Sequence, residues 1–415
     1  MPAFDTTGIP SDVFRIAEVF RANGHRAWIV GGCVRDLLMG RPAKDWDLAT
    51  TAHPEQVVPL FRRVIPTGIQ HGTVTVMLAG VGYEVTTLRG EGAYSDGRRP
   101  DSVHFVGTIE EDLARRDFTV NAIAFDPTEG VVVDPWGGRE DLAARRIRAV
   151  GEASERFGED GLRALRAARF VATLEMDLDP ATEAAIPGAL PTFARVSAER
   201  VRDEWEKACK APQASRAFAV MRRTGMLAHT APMTTSLDDA AFALALARMD
   251  LVRPALAMRV GALLRDATTT LPVLTAWADG LRFSKTDRTC LLALWKSSTL
   301  ALVPELTGPE RRRLMSSHGP ALRDLIELAS ADARARGVPD RAAELALQVE
   351  ADAKCPLTTS QLAITGNDLM KELGLAPGRE IGVLLQALLE LVLDDPGANE
   401  RGHLLAHAAK LRAGA

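Results

Sequence analysis

The segment GGCVRDLLMGRPAKDWDLAT, residues 31–50, decides the predicted fold of this chain. It follows AWIV (27–30), a short apolar run that predicts a β-strand. The two glycines end that strand and precede the helix-like VRDLLMG, after which DWDLAT (45–50) predicts a second strand. This order of strand, glycine turn, helix and strand indicates an α/β domain.

The flanking sequence continues the mixed pattern up to about residue 150. Ser11 is predicted to cap a helix whose apolar residues recur at helical spacing. GTVTVML (72–78) and GYEVTTL (82–88) are rich in β-branched residues and alternate as strands do. Residues 90–104 are polar and glycine-rich, which predicts a loop longer than most connectors, and such loops are more often functional or mobile.

Beyond residue 150 the strand pattern is predicted to stop, and helices follow one another between proline and glycine breaks. The expected fold class is therefore α+β, with an α/β head followed by a long helical region. The predicted helices span 155–175, 197–210, 213–226, 238–253, 255–266, 287–301, 321–335, 340–352 and 380–394.

Composition narrows the possible classes of protein. The chain has 415 residues, 47% of them hydrophobic and 25% charged, as in ordinary globular domains. Neither an apolar run long enough to span a membrane nor a secretory signal is visible, so membrane, secreted and disordered classes are excluded. A net charge of −4 argues against bulk polyanion binding but permits a local basic surface. The cysteines are far apart, which predicts reduced cytoplasmic thiols with no disulfide partner: Cys33, Cys209, Cys290 and Cys355.

Three carboxylates are candidates for catalysis. Side chains alternate along a strand, so Asp45 and Asp47 are expected on one face and Trp46 on the other, towards the core. Glu84, on a later strand, could lie beside them. Three converging carboxylates repel one another unless cations lie between them, and Mg²⁺ prefers such oxygen ligands. Taken alone, however, Asp-x-Asp is more simply a solvated strand end.

Two further motifs indicate phosphate and sugar binding. Gly31 and Gly32 would let a backbone approach a phosphate closely at a helix N-terminus, with Arg35 adding a charge-assisted contact. The alternative, a tight turn before a helix, is equally consistent with these glycines. Arg116 and Asp117 could contact a triphosphate oxygen and a ribose hydroxyl. Without context they would be a local ion pair at a helix end.

The segment EDGLR (159–163) suggests a reader of nucleobases. On a helix, Glu159 and Arg163 lie one turn apart, a spacing that most often forms a solvent-facing salt bridge. The functional interpretation is that Asp160 accepts and Arg163 donates, while Glu159 holds the arginine in plane. Cytosine and adenine each offer an amino donor beside a ring-nitrogen acceptor, whereas uracil and guanine reverse that pattern and would leave buried polar groups unpaired.

Together these motifs resemble those of the bacterial-type (class II) CCA-adding tRNA nucleotidyltransferases, which are related to bacterial poly(A) polymerases. The match runs in order from GGCVRDLLMGRPAKDWDLAT through YEVTTLR, RRDFTVNAIA and EDGLR to SAERVRDEWEKAC, over about residues 25–209. The resemblance implies that Asp45 and Asp47 are metal ligands and that Glu84 is the third catalytic carboxylate. It assigns nucleotide binding to Gly31, Gly32, Arg35, Arg116, Asp117, Glu159, Asp160, Arg163, Arg166 and Arg169.

The resemblance also implies an architecture and a reaction. A polymerase-β-like nucleotidyltransferase head (1–150) would be followed by an all-helical neck (151–230) and by a tRNA-binding body and tail (231–415). The enzyme would use Mg²⁺ to add two C and one A to the tRNA 3′ end from CTP and ATP, releasing pyrophosphate. Since Asp160 and Arg163 read C and A alike, the change from C to A is predicted to depend on pocket size, with the loop 90–104 as the moving part.

Other interpretations remain open at the level of sequence. An A-adding enzyme or a poly(A) polymerase would carry nearly the same motifs, although the intact DGRRPD argues against a narrow CC-adding relative. A non-catalytic RNA-binding protein and a protein-interaction scaffold are alternatives of another class. No histidine cluster accompanies Arg265 and Asp266, so phosphohydrolase activity is not expected. Arginines 311–313, with Arg323, Arg334 and Arg336, form either a phosphate-binding face or scattered solvated charges.

Overall fold

The chain folds into two compact units in a computed structural model, which describes residues 4–91, 103–297, 300 and 302–413. The first unit comprises Met1–Thr235 and Gly280–Arg282, and the second comprises Ser236–Asp279 and Phe283–Ala415. Among the described residues, no helix is both long and apolar enough to cross a membrane. All four cysteines are free thiols.

The first unit is built on a mixed sheet that has seven strands within the described residues, in the order β3-β4-β5-β2-β1-β8-β9. The β2 and β5 strands are parallel, and the other neighbours in this sheet are antiparallel. The strands are β1 (Ala27–Val30), β2 (Asp47–Thr50), β3 (Val64–Gly68), β4 (Thr73–Leu78), β5 (Val81–Thr87), β6 (Arg89–Glu91), β7 (Val103–Phe105), β8 (Ala124–Asp126), β9 (Val131–Val133), β10 (Arg146–Ile147) and β11 (Asp177–Leu178).

The strand β1 and most of β2 are buried on both faces, because their successive side chains enter different cores. Ile29 and Leu48 belong to one core, which also contains Val13, Ile16 and Phe20 of the first helix. Trp28, Val30 and Ala49 belong to a second core on the opposite face. The pairing of β2 with β5 in this sheet sets the relative position of Asp47 and Glu84, two of the candidate catalytic residues.

Eleven helices occur in the described part of the first unit. They are α1 (Ser11–Ala22), α2 (Gly32–Leu38), α3 (Pro54–Val57), α4 (Ile109–Ala114), α5 (Gly138–Ala143), α6 (Ala153–Glu159), α7 (Leu162–Thr173), α8 (Pro180–Phe193), α9 (Ala198–Cys209), α10 (Ser215–Arg223) and α11 (Met226–Thr230). The predicted first helix is confirmed, but Pro10 is its N-cap residue and Ser11 is already helical. Pro10 makes no side-chain cap hydrogen bond, so the expected serine cap is wrong.

Two details differ from the sequence prediction. The predicted helix 155–175 is broken at Asp160 and Gly161 into α6 and α7, because Asp160 has extended backbone angles. The strand pattern also continues slightly past residue 150, since β11 pairs in parallel with β10.

The predicted loop 90–104 is partly strand. Arg89 and Glu91 of β6 pair with Phe105 and Val103 of β7 in an antiparallel ladder, so the ends of the segment are ordered as strand. Residues 92–102, which contain DGRRPD, lie outside the described residues. The proposed movement of this loop therefore stays a prediction.

The second unit is helical throughout its described residues. At its centre is a helix of which every residue, Leu256–Leu264, is buried. A separate core near the C-terminus joins Leu369, Leu388 and Leu404 from three other helices. The helices are α12 (Asp239–Leu251), α13 (Leu256–Leu264), α14 (Leu271–Gly280), α15 (Lys285–Lys296), α16 (Gly308–His318), α17 (Ala321–Arg336), α18 (Arg341–Ala351), α19 (Gly366–Leu373), α20 (Arg379–Asp394) and α21 (Arg401–Ala413).

Candidate active site

The candidate catalytic carboxylates lie where β2 begins, with Glu84 in the middle of the longer neighbouring strand β5. Val30, the last residue of β1, is the register partner of Asp47, the first residue of β2. On the other side, Asp47 is the register partner of Glu84 in the parallel strand β5. The glycine turn after Val30 and the two carboxylates are therefore on neighbouring strands at the same level.

The third carboxylate, Asp45, precedes β2, because the strand begins at Asp47 and not at Asp45 as expected. Asp45, Asp47 and Glu84 are exposed, and Trp46 packs against the core as predicted. Desolvation by the surrounding protein and the charges of Glu84 and Asp45 raise the pKa of Asp47, against the opposing effect of Arg116. In the described part of the chain, no three His, Cys, Asp or Glu side chains form a group that could hold a metal ion.

This arrangement is compatible with a divalent cation held by two aspartates. Mg²⁺ is usually bound by one or two carboxylates together with substrate phosphates, and seldom by a cage made only of protein ligands. Asp45 and Asp47 are accessible and carry like charges that a cation would neutralise. The protein would thus supply two ligands, and the triphosphate would supply others.

The glycine turn brings its backbone close to Arg116. Gly31 has φ +78°, and a Cβ atom at this position would lie 3.0 Å from Nη1 of Arg116. Gly32 is the first residue of α2. Arg35, on the same helix, donates from Nη1 to Oδ1 of Asn121 at 2.6 Å and from Nε to Oδ1 of Asp36 at 2.9 Å. Arg35 is therefore held firmly beside the turn.

Arg116 and Asp117 have different surroundings. Arg116 donates to the carbonyl oxygen of Asn121 at 3.4 Å and to Oδ2 of Asp112 at 3.2 Å. Asp117 is buried, and its Oδ2 accepts from Nε of Arg166 at 2.6 Å. Burial by itself raises the pKa of Asp117, but the charge and hydrogen bond of Arg166 outweigh it, so the pKa lies below its ordinary value.

The residues of EDGLR come from two helices and the turn between them. Glu159 ends α6, Arg163 lies on α7, and the two form an ion pair of 2.5 Å. Gly161 lies at the turn, where a Cβ atom would be 2.4 Å from the backbone nitrogen of Phe193. Only glycine permits this approach, so the turn that separates Glu159 from Arg163 is fixed by packing against the end of α8.

Asp160 and Arg163 are both anchored by neighbouring groups. Oδ1 of Asp160 accepts from the backbone nitrogen of Leu162 at 3.0 Å, and Oδ2 accepts from Nη2 of Arg200 at 2.6 Å. Arg163 is buried and donates from Nη2 to the carbonyl oxygen of Arg115 at 3.0 Å. Protein groups thus hold both side chains in place, and their role in reading the base stays a prediction.

A cationic cluster surrounds the ring of Phe170. The guanidinium carbons of Arg35, Arg166 and Arg169 lie 5.7, 5.3 and 3.6 Å from the ring centroid, within the range of cation–π contacts. Nε of Arg169 pairs at 2.5 Å with the buried Glu204 of α9. Arg166 and Arg169, which the family resemblance assigns to nucleotide binding, therefore lie together with Arg35.

Sequence reasoning missed four residues that hold this site: Asp112, Asn121, Arg200 and Glu204. Arg200 and Glu204 lie one turn apart on α9, within SAERVRDEWEKAC, and that spacing would place them on one helix face. Asn121 lies within RRDFTVNA, but the sequence carries no sign that it contacts Arg35.

Three family models match the chain. They are described as the "Poly A polymerase head domain" over residues 27–148, the "Probable RNA and SrmB- binding site of polymerase A" over 175–237, and "tRNA nucleotidyltransferase domain 2" over 333–408. The first model contains the candidate carboxylates, the glycine turn and Arg116. None of the three models alone covers half of the chain.

Known relatives extend this match to nearly the whole chain. The CCA-adding enzyme of Geobacillus kaustophilus is 35% identical over an alignment of 405 residues, and the alignment covers 94% of this chain and 94% of the relative. This chain belongs to the CCA-adding enzyme family. The family relative from Geobacillus stearothermophilus is 50% identical over 214 residues, and that alignment spans 52% of this chain and 53% of the relative.

Solved structures of CCA-adding enzymes have the same fold. The Bacillus stearothermophilus enzyme in complex with CTP superposes with a TM-score of 0.82 at 33% identity, covering 99% of this chain and 98% of that chain. The Thermotoga maritima enzyme complexed with tRNA superposes with a TM-score of 0.66 at 20% identity, covering 96% of this chain and 95% of that chain. Members of the family are template-independent RNA nucleotidyltransferases, and nucleotidyltransferases generally use divalent metal ions.

In the second unit of this CCA-adding family member, Arg265 and Asp266 belong to an ion network around the buried Arg248. Arg248 is fully buried and pairs with Asp266 at 2.6 Å and with Asp332 at 2.7 Å. Arg265 lies 3.6 Å from Asp332. Asp266 is thus occupied in linking helices.

Most of the arginines considered as a phosphate-binding face have partners within the second unit. Arg311 pairs with Asp352 at 3.0 Å, Arg313 pairs with Glu390 at 2.9 Å, and Arg312 donates to the carbonyl oxygen of Leu393 at 2.7 Å. Arg336 pairs with Asp332 at 3.1 Å. Arg323 and Arg334 are exposed on α17.

Proposed function

We propose that this protein adds C, C and A to the 3′ end of tRNA, using CTP and ATP and releasing pyrophosphate. The observation that carries the proposal is the strand register that sets Asp47 beside Glu84, next to the glycine turn of Gly31. The base-reading pair Asp160 and Arg163 belongs to the same compact unit. A catalytic site and a nucleobase reader in one unit suit a polymerase that selects nucleotides without a nucleic-acid template.

In the proposed reaction, the 3′-oxygen of the tRNA attacks the α-phosphorus of the nucleotide. A new phosphodiester bond forms, the bond between the α- and β-phosphates breaks, and the hydroxyl proton is lost. Asp45 and Asp47 would hold Mg²⁺, and Glu84 is the third carboxylate at this site. When bound, divalent cations lower the pKa of the attacking hydroxyl and stabilise charge on the leaving pyrophosphate.

The nucleotide would be held by residues on several elements. Arg116, beside Gly31, is suited to the sugar and the inner phosphates, with the buried Asp117 fixed next to it. Arg35, Arg166 and Arg169 form the cationic cluster around Phe170, which suits the triphosphate. Gly32 at the start of α2 and Glu159 beside Arg163 complete the nucleotide-binding set.

Base selection would follow from hydrogen-bond polarity. Arg200 and the nitrogen of Leu162 donate to Asp160, so its carboxylate faces the base as an acceptor and suits the amino groups of cytosine and adenine. The Glu159 ion pair keeps Arg163 as the donor. Uracil or guanine would set an acceptor against Asp160 and a donor against Arg163, and this mismatch would cost roughly 1–3 kcal/mol for each group.

The proposed domain roles are those of a head (1–150), a neck (151–230), and a tRNA-binding body with a tail (231–415). The family models ending at residues 148 and 237 support these limits, as does the boundary between the compact units at Thr235. We place this activity in the cytoplasm, where tRNA is processed in bacteria.

Primer extension tests the proposal. Purified protein with Mg²⁺ would be given tRNA transcripts that end before C, before CC or before CCA, together with CTP, ATP or both. Addition that stops after CCA is expected. A long A tail would indicate a poly(A) polymerase, and A added only to a CC end would indicate an A-adding enzyme. If nothing is incorporated, or if Asp47→Asn is as active as the wild type, the catalytic assignment is wrong.

A further inference from the structure

Asp112 is a buried carboxylate outside the motifs assigned so far. Its side chain is 1% exposed, and it lies on the short helix α4. Burying a charge is costly unless partners compensate for it. Burial by itself raises the pKa of Asp112, but the charges of Arg115 and Arg116 outweigh it and hold the pKa below its ordinary value. The carboxylate is therefore charged at neutral pH.

Four hydrogen bonds satisfy this carboxylate. Oδ1 accepts from Nε and Nη2 of Arg115 at 3.0 and 2.9 Å, and from the backbone nitrogen of Arg89 at 3.2 Å. Oδ2 accepts from Nη2 of Arg116 at 3.2 Å. One side chain thus holds the first residue of β6, the strand that leads to residues 92–102, and a candidate nucleotide-binding arginine.

Among the groups around Arg116, Asp112 is the one that holds its guanidinium most strongly. Its Nη1 has a long hydrogen bond of 3.4 Å to the carbonyl oxygen of Asn121, and its buried Nε has no hydrogen-bond partner among the described residues. The Asp112 contact is the charge-assisted one, and such bonds are roughly twice as strong as neutral ones. The same guanidinium lies beside Gly31 and acts on the charge of Asp47.

The end of α4 also supports the base-reading arginine. Helices leave their last carbonyl groups without helical partners, and these carry partial negative charge. Here the carbonyl oxygens of Ala114 and Arg115 accept from Arg156 at 3.2 Å and from Arg163 at 3.0 Å. Asp112 is therefore part of a short element that contacts β6, Arg116 and Arg163.

We infer that Asp112 is a positioning residue for the nucleotide site. It fixes Arg116 beside the glycine turn and connects the start of β6 to Arg116. This inference rests on the proposed function, because it takes Arg116 as a ligand of the incoming nucleotide. Asp112 itself touches no reacting atom. Its loss would leave Arg116 free to turn away and would weaken binding of CTP and ATP alike.

The test compares Asp112→Asn with the wild type in steady-state incorporation of C and A and in equilibrium binding of CTP. In Asp112→Asn, Arg116 should turn away and lose its charge-assisted hydrogen bond to the nucleotide. We expect this loss to raise KM for both nucleotides and Kd for CTP about tenfold. The value of kcat and the discrimination against UTP should change little. Asp112→Glu, which restores the charge, should recover part of the loss and serves in place of Asp112→Asn if that variant does not fold.

Asp126→Asn is the matched control. Asp126 is also buried and also satisfied by an arginine and backbone nitrogens, with Arg26 at 2.8 Å and Thr128 at 3.0 Å, but none of its partners is a candidate site residue. A purely structural role for Asp112 would make the two variants alike, with a lower melting temperature and unchanged KM, and would overturn the inference.

A double-mutant cycle decides whether Asp112 acts through Arg116. If it does, Asp112→Asn should have little further effect on KM in an Arg116→Ala background. Full additivity of the two effects would overturn the inference while leaving the proposed function intact. The absence of any C or A incorporation by the wild type would instead overturn the proposed function itself.

Discussion

Glycine is required at position 31 for two separate reasons, its backbone conformation and its contact with Arg116. Its φ of +78° is one that L side chains rarely adopt, and a Cβ atom would also lie 3.0 Å from Nη1 of Arg116. The first requirement concerns stability, and the second concerns the nucleotide site. They can be separated because Gly24 has the same φ of +78°, and a Cβ atom there would have no atom within 4 Å among the described residues.

Gly31→Ala should therefore lower both stability and nucleotide affinity. We expect the positive φ to lower the unfolding free energy in both Gly31→Ala and Gly24→Ala, by about 1–3 kcal/mol. Only Gly31→Ala should also raise KM for CTP, because its methyl group displaces Arg116. Thermal unfolding and steady-state kinetics measure the two effects, and equal KM values for the two variants would contradict the predicted role of Arg116.

Asp160→Asn should weaken discrimination between nucleobases. An amide has one acceptor and one donor group, so it cannot accept from both Arg200 and Leu162 and also present an acceptor to the base. We expect incorporation of UTP relative to CTP to rise by about tenfold or more, from the loss of roughly 1–3 kcal/mol of discrimination. Competition assays with mixed nucleotides measure this ratio.

Asp203→Asn is the control for that substitution. Asp203 lies on α9 and pairs with its neighbour Arg202, with its side chain 49% exposed. It should leave the ratio of UTP to CTP unchanged. If Asp160→Asn behaves in the same way, the base is selected by other residues.

At the scale of secondary-structure elements, α8 is a helix that the sequence analysis did not predict. Pro187 and Pro191 lie inside this helix, and proline normally ends a helix, so the sequence predicted none there. The helix forms because its buried residues, among them Ile186 and Phe193, pack against neighbours. Tertiary burial overrides local propensity in such cases.

Pro187→Ala should consequently stabilise the protein. Pro187 is exposed, so alanine removes no buried surface and restores a helical N–H. We expect the unfolding free energy to rise by about 1–3 kcal/mol, the penalty that proline carries in a helix interior. Pro180→Ala is the control, because proline is favourable at the first position of a helix. A gain in melting temperature from both variants, or from neither, would refute this explanation.

Other elements and contacts followed from the sequence to different degrees. The strands β1, β4 and β5 agree with their predicted segments because alternation and β-branched content were strong there. The strand β2 begins two residues late, and the break at Asp160 was not seen, since it depends on the close approach of Gly161 to Phe193. Contacts such as Asp160 with Arg200 join distant residues, and one sequence has no signal for such pairs.

At the scale of the whole molecule, charge is mostly neutralised internally. The net charge is −4, and the arginines at 311–313 have partners within the second unit. Arg323 and Arg334, eleven positions apart on α17, fall on nearly the same side of the helix and are exposed. They are the better candidates for contacts with tRNA phosphates.

Arg323→Glu combined with Arg334→Glu should weaken tRNA binding and reduce its dependence on salt. Each lost phosphate contact lowers the slope of log K against log salt by about one, so we expect a reduction of about two. Binding titrations at several salt concentrations would measure it. Arg15→Glu with Arg21→Glu on α1 changes the net charge equally, and the same loss of binding there would mean that only total charge matters.

The three arginines around Phe170 connect ligand concentration with thermal stability. Each of these arginines is paired with a carboxylate of the protein, and a triphosphate that binds only the folded first unit would stabilise that unit by mass action. At a nucleotide concentration one hundred times Kd, this linkage amounts to about 2.7 kcal/mol. If the two units unfold in separate transitions, only the melting temperature of the first unit would then rise as CTP is added, and that of the second unit would stay constant.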